Sequence, residues 1–163
     1  MSDWKKIVML DIDGTLAGED FLVRTKGMSG MIDPEAVKLL NQLESIGAEV
    51  VISSSWGYDN GRTEKSLRNV GLTLPIIGYT DHFHNDWMTR GNEIDKWLCE
   101  NMKCYGIKFG SKYYRKNGFE YVILDDDTDI LLGQKDNFIQ VDKRTGLTQA
   151  DIDKAIKILK REN

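Results

Sequence analysis

Five short apolar runs punctuate the chain: Ile7-Val8-Met9-Leu10, Val50-Val51-Ile52, Pro75-Ile76-Ile77-Gly78-Tyr79, Tyr121-Val122-Ile123-Leu124 and Phe138-Ile139-Gln140-Val141. Ile7–Leu10 and Val50–Ile52 run without polar interruption, the pattern of strands covered on both faces. Amphipathic stretches lie between the runs. Asp33-Pro34 reads as an N-cap followed by a first helical residue. Behind it, Val37, Leu40, Leu43 and Ile46 recur at helical spacing, and Gly47 is placed to end the helix. A short helix through Leu67 and Val70 stops at Gly71, and Ile94, Trp97, Leu98 and Met102 give the apolar face of the next. Thr148 caps a last helix, with Asp151 as the acidic partner of a capping box and Ile152, Ile156 and Leu159 as its buried stripe. The polar segment from Gly14 to Gly30 shows no clear period and is assigned to no element. Strands alternating with helices predict an α/β fold: a Rossmann-like three-layer sandwich around a central, mostly parallel five-stranded sheet. In such sheets the functional site lies beyond the C-terminal ends of the strands.

Composition narrows this picture without adding an activity. At 163 residues, the expectation is one domain over residues 1–163. Lys and Arg number 22 against 26 Asp and Glu, a net charge of −4. That balance argues against broad, non-specific coating of nucleic acid while leaving room for a local basic groove. No apolar run approaches the roughly 18–20 residues of a membrane span, and the four-residue run behind Lys5 and Lys6 is too short for a signal peptide. Two cysteines, Cys99 and Cys104, make no disulfide scaffold. A cytoplasmic protein with free thiols, no membrane association and no obligate protein partner is expected.

Chemistry gathers at the strand ends. The first run ends in Asp11-Ile12-Asp13-Gly14-Thr15, the second in Ser53-Ser54-Ser55-Trp56, and the fourth in Asp125-Asp126-Asp127, with Asp129 behind. So many carboxylates in one place repel one another unless a cation offsets them, and a hard divalent ion such as Mg²⁺ suits oxygen ligands. A metal beside a carboxylate free to attack is an arrangement for phosphoryl transfer.

Asp11-Ile12-Asp13-Gly14-Thr15-Leu16, at the end of an N-terminal buried strand, resembles the first motif of the haloacid dehalogenase (HAD) superfamily. The later motifs follow in order: hydroxyls after the second strand, a basic residue opening a helix in Thr89-Arg90-Gly91-Asn92-Glu93-Ile94, and acidic residues after the fourth strand. Ser-Ser-Ser-Trp, Tyr-Val-Ile-Leu-Asp-Asp-Asp and the late Gly146-Leu147-Thr148 bring the chain nearest to the phosphatase domain of bacteriophage polynucleotide kinase and to HAD domains associated with RNA repair proteins. The resemblance implies a Mg²⁺-dependent phosphomonoesterase working through an aspartyl-phosphate. Asp11 would be the nucleophile and a metal ligand, and Asp13 the general acid–base, with its backbone carbonyl on the metal. A second carboxylate at that position marks the family's phosphatases rather than its dehalogenases. Ser54, or its neighbour Ser53, would hydrogen-bond the phosphoryl oxygens, and Arg90 would stabilise the aspartyl-phosphate charge. Asp126 would bind the metal directly with Asp125 adjacent, and Asp129 through water. Asp127 departs from the polynucleotide kinase pattern, which has a basic residue there.

The segments where HAD proteins insert caps are short here, so the resemblance implies a site without a large cap, suited to a nucleotide or a polynucleotide 3′ end. A small-metabolite phosphatase and a non-catalytic phosphate-end binding module are the alternatives. Arg24 and Trp56 are candidate substrate contacts, Trp56 by stacking on a base. Lys103, Lys108, Lys112, Arg115 and Lys116, interleaved with Tyr105, Phe109, Tyr113 and Tyr114, have the composition of single-strand binders. His82, His84, Cys99 and Cys104 raise a zinc reading, which their spacing does not favour.

Overall fold

The computed structural model describes residues 4–27, 30–82, 88–102 and 118–161. His84, Cys104 and the basic-aromatic stretch from Lys103 to Lys116 therefore lie outside the described residues.

Five strands form one sheet: β1 (Lys5–Leu10), β2 (Ala48–Ile52), β3 (Ile76–Tyr79), β4 (Phe119–Asp125) and β5 (Phe138–Gln140). Their order is β3-β2-β1-β4-β5, and every pairing is parallel. The expected five-stranded, mostly parallel sheet is present and is parallel throughout. β1 is central, with β2 on one side and β4 on the other, so the chain reverses its winding direction around β1. That switch point opens a crevice at the C-terminal ends of β1, β2 and β4.

Side-chain alternation along the strands builds two cores. Val8 and Leu10 of β1, with Val50, Ile52, Val122 and Leu124, face helices α2 (Pro34–Leu40), α3 (Arg62–Asn69) and α5 (Gln149–Leu159). Ile7 and Met9, with Val51, Tyr121 and Ile123, face α4 (Arg90–Asn101) through Ile94, Trp97 and Leu98. These are the three predicted layers.

The caps explain most element ends. Asp33 accepts the Glu35 N–H at 2.9 Å to open α2, and the Thr148–Asp151 box opens α5 as expected. The helix predicted from Pro34 through Ile46 changes character halfway. It is α-helical to Leu40 and then a 3₁₀ turn over Asn41–Ile46. Asn41 bridges to the 71–73 turn, donating to Gly71 O and accepting from Thr73 N, which draws the chain tighter at that point.

The unassigned segment between β1 and α2 holds a helix, α1 (Glu19–Thr25), with Phe21 buried. Between β2 and β3 lie a short 3₁₀ turn at Asp59–Gly61 and α3. No helix among the described residues is long and apolar enough to cross a membrane.

Candidate active site

Asp11 follows the last residue of β1 and keeps its backbone in the sheet, donating its N–H to Leu124 O at 3.0 Å. Its carboxylate, only 6% exposed, therefore stands between the ends of β1 and β4. Asp125 ends β4 and is equally buried, and Asp126 follows it into the crevice. One carboxylate oxygen from each of Asp11, Asp125 and Asp126 lies within 4.8 Å of the other two. Burial, reinforced by the Asp125 charge, pushes the Asp11 carboxyl up to about 8, even though Arg90 opposes the shift. Burial likewise raises Asp125 to about 6, and raises Asp126.

An all-oxygen donor set suits a hard divalent cation. The geometry fits that assignment: Asp125 Oδ2 is buried with no hydrogen bond among the described residues. It has an ion pair to Arg90 Nε at 3.4 Å. The turn that brings Asp126 in depends on Gly14. With φ at +76°, Gly14 sits so close that a Cβ there would lie 2.5 Å from the Asp126 carboxyl carbon. The Gly after Asp13 is thus required both by its backbone conformation and by that close approach.

Arg90 opens α4, and its guanidinium lies among the carboxylates of the site. Its Nη2 is 3.7 Å from Asp11 Oδ1, its Nε faces Asp125, and its Nη1 donates to Glu93 Oε2 at 3.0 Å. Glu93, one turn along and 3% exposed, also meets His82 Nδ1 at 3.4 Å through its other oxygen. The start of α4 is fixed in turn by Asp129, whose carboxylate accepts the Arg90 N–H at 2.9 Å and whose carbonyl accepts that of Gly91 at 3.0 Å. Asp129 is thereby engaged at the helix N-terminus, where a carboxylate also complements the helix dipole.

Asp13 is separate from the three-carboxylate cluster. It is exposed at the mouth of the crevice, and its Oδ2 accepts the indole N–H of Trp56 at 2.9 Å. Ser53 and Ser54 are both buried: the Ser54 hydroxyl accepts Trp56 N–H at 3.4 Å, while Ser53 Oγ has no hydrogen bond among the described residues. Of the three serines, Ser55 is the one that lines the cleft.

That cleft, of about 380 Å³, is walled by Asp11, Asp13, Arg90 and Asp125–Asp127, with Glu19 and Leu22 from α1 and Lys143 from the loop after β5. It shares Asp126, Asp127 and Lys143 with an adjoining cleft of about 580 Å³ that runs over Gln140–Lys143. Arg24 is exposed on α1 and does not line the cleft. At about 100° per residue it lies some 200° around the helix from Leu22, which does line the cleft. Asp127 lines both clefts and donates its backbone N–H to Asp125 Oδ1 at 3.0 Å. Cys99 is half-buried on α4.

Sequence reasoning assigned no role to Glu93 or Lys143. The first was readable as an acid three residues after Arg90 beside the apolar Ile94. The second was readable as a basic residue just past the end of the fifth strand, where the strand-end rule places ligand contacts.

Residues 7–152 match the model of a family described as the HAD domain in Swiss Army Knife RNA repair proteins. Comparison with curated proteins returns no match.

Proposed function

The chain belongs to this family of HAD domains in RNA repair proteins, and on that premise we propose that it is a hydrolase of phosphatase type, a phosphomonoesterase acting through an aspartyl-phosphate. The observation that carries the proposal is the buried Asp11 carboxylate, flanked by Asp125 and Asp126 on one side and facing the Arg90 guanidinium at 3.7 Å. A lone buried carboxylate with a raised pKa is a poor nucleophile. One beside a cation site and a fixed guanidinium can be held ionised and aimed.

Asp11, Asp125 and Asp126 would hold a magnesium ion, with the Asp13 carbonyl completing the set. When bound, that ion offsets the clustered carboxylates and draws charge from the phosphoryl group. The chain's own groups then divide the remaining work. Asp11 Oδ attacks phosphorus, and the ester P–O bond breaks as Asp13 gives its proton to the leaving oxygen. Arg90 balances charge on the phosphoryl oxygens, and the hydroxyl turn over Ser53–Ser55, which meets the cleft at Ser55, hydrogen-bonds them. Asp13, now ionised, takes a proton from the water that attacks the aspartyl-phosphate, releasing phosphate and restoring Asp11.

The substrate we propose is a phosphorylated polynucleotide end, 3′-phosphate in type. What supports this is a cleft that continues past the carboxylates along Gln140–Lys143 and is walled by one short helix where a large cap would stand. The test is hydrolysis of a 3′-phosphorylated oligonucleotide against free nucleotides and sugar phosphates, with Mg²⁺, by wild type and Asp11→Asn. Preference for the oligonucleotide, and its loss in the variant, is expected. Activity surviving in Asp11→Asn would remove the mechanism, and equal or lower activity on the oligonucleotide would remove the substrate class.

A further inference from the structure

Trp56 lies in a tight turn that holds it from several sides. Its backbone N–H meets Ser54 Oγ at 3.4 Å, its carbonyl accepts the hydroxyl of buried Thr63 on α3 at 3.3 Å, and Gly57 N–H closes the turn onto Ser54 O at 3.1 Å. The ring is half-buried and packs against the core on the α2/α3/α5 side of the sheet. A side chain so anchored has little freedom to swing out over a nucleobase. What it does present to the site is its one polar atom, the indole N–H, directed at Asp13 Oδ2 from 2.9 Å.

Asp13 itself has no comparable anchor. Its carboxylate is exposed, and the Trp56 N–H is its one side-chain hydrogen bond among the described residues. We propose that Trp56 is a positioning residue, whose indole N–H fixes the Asp13 carboxylate so that one oxygen is occupied and the other is presented to the leaving group. The inference rests on the phosphomonoesterase reading above. In the first half-reaction a carboxylic acid whose Oδ2 accepts from Trp56 carries its proton on Oδ1. That proton passes to the ester oxygen as the P–O bond breaks and Asp11 bonds to phosphorus. In the second, the same oxygen takes the proton of the attacking water. An indole N–H donates and never accepts, and the carbonyl-type oxygen of a carboxylic acid is its better acceptor, so this bond favours the proton on the other oxygen.

The leaving group makes the claim testable. An alkoxide departs with difficulty unless protonated, whereas dinitrophenolate departs without a proton. The experiment compares kcat/KM of wild type and Trp56→Phe on a 3′-phosphorylated oligonucleotide, on glycerol phosphate and on 2,4-dinitrophenyl phosphate. Phe keeps an aromatic face and removes the donor. We expect a loss of about tenfold or more on both alkyl esters, set against the roughly 10²–10⁴-fold range of general acid catalysis, and a change under about twofold on the dinitrophenyl ester. Rate ratios within one preparation do not depend on the fraction of protein that folded. In an Asp13→Asn background, where the carboxylate is gone, Trp56→Phe should add no further loss on the alkyl esters.

Equal losses on all three substrates, or undiminished alkyl-ester turnover, would overturn the inference. So would a raised KM confined to the oligonucleotide, which would make Trp56 a base platform. Each of these leaves the phosphatase reading standing. A wild-type protein inactive on all three with Mg²⁺ present would overturn the phosphatase reading itself, and this inference with it.

Discussion

Replacing Asp11 by Asn should stabilise the metal-free protein while it removes activity. Asp11 sits 6% exposed among Asp125 and Asp126, and its carboxyl is pushed from 3.8 to about 8 by burial and by Asp125. A carboxyl whose pKa rises on folding takes up a proton as the chain folds. The stability tied to that proton is fully present below the unfolded value near 4 and drains away as pH climbs to about 8. At about 1.36 kcal/mol per pH unit, the full window is worth on the order of 5 kcal/mol. Asn does not titrate, but it leaves an amide in the same buried place, where imperfect hydrogen bonding costs about 2 kcal/mol. The net expectation at pH 8 in EDTA is a gain of about 3 kcal/mol. For a chain of this size that raises Tm by roughly 6–12 °C. Thermal melts of wild type and Asp11→Asn in EDTA from pH 5 to pH 8 would measure it. The gap between the two should widen steadily with pH, and added Mg²⁺ should close it by stabilising the wild type alone. A variant that melts at or below wild type at pH 8, with a gap indifferent to pH, would refute the assignment of Asp11 as a strained, cation-dependent carboxylate.

Three other outcomes follow from the same geometry. Because Asp11 and Asp125 have raised pKa values of about 8 and about 6, Mg²⁺ binding should release protons and weaken as pH falls from 8 to 6, which calorimetry in buffers of different ionisation enthalpy will detect. Gly14→Ala forces a side chain into a φ of +76° and against the Asp126 carboxyl. It should cost about 1–2 kcal/mol from the backbone alone and raise the Mg²⁺ concentration needed for activity, read from melts and metal titrations. Glu93→Gln weakens the charged partner of Arg90 Nη1. Its kcat should fall about tenfold, short of the ~10²–10³ for deleting a charge-stabilising donor outright, with KM nearly unchanged in steady-state assays.

The strands and caps were legible because each is written locally. Uninterrupted apolar runs such as Tyr121–Leu124 admit little else, and Asp33-Pro34, Thr148 with Asp151, and Gly47 at φ +71° state where helices start and stop. The clustering of Asp11 with Asp125 and Asp126 followed from parallel strands ending together. What stayed hidden depends on contacts between distant segments. α1 has no side-chain cap and one buried residue, Phe21, so only the acidic pair Glu19-Asp20 in its first turn and Arg24 in its last mark it. Its first turn is held instead by backbone bonds to residues 143 and 144. The bond from Trp56 to Asp13 spans 43 positions and leaves no period to read. The hydroxyl turn kept its ambiguity because Ser53 and Ser54 are both buried and Ser55 meets the cleft, an arrangement set by the turn rather than by strand alternation.

Those backbone bonds between the first and last parts of the chain have a consequence for synthesis. Glu19 and Asp20 donate to the carbonyls of Lys143 and Arg144, Leu147 donates to Thr15 O at 2.9 Å, and Gly18 and Gly146 pass so closely that a Cβ on Gly18 would lie 2.6 Å from Gly146 N. The cleft wall formed by α1 thus hangs from a loop translated more than a hundred residues later. A nascent chain halted before Lys143 would carry Asp11, Asp13 and Asp125–Asp127, yet lack the carbonyls that fasten α1 beside them. Asp11 leaves the ribosome well over a hundred residues before the latch that encloses it.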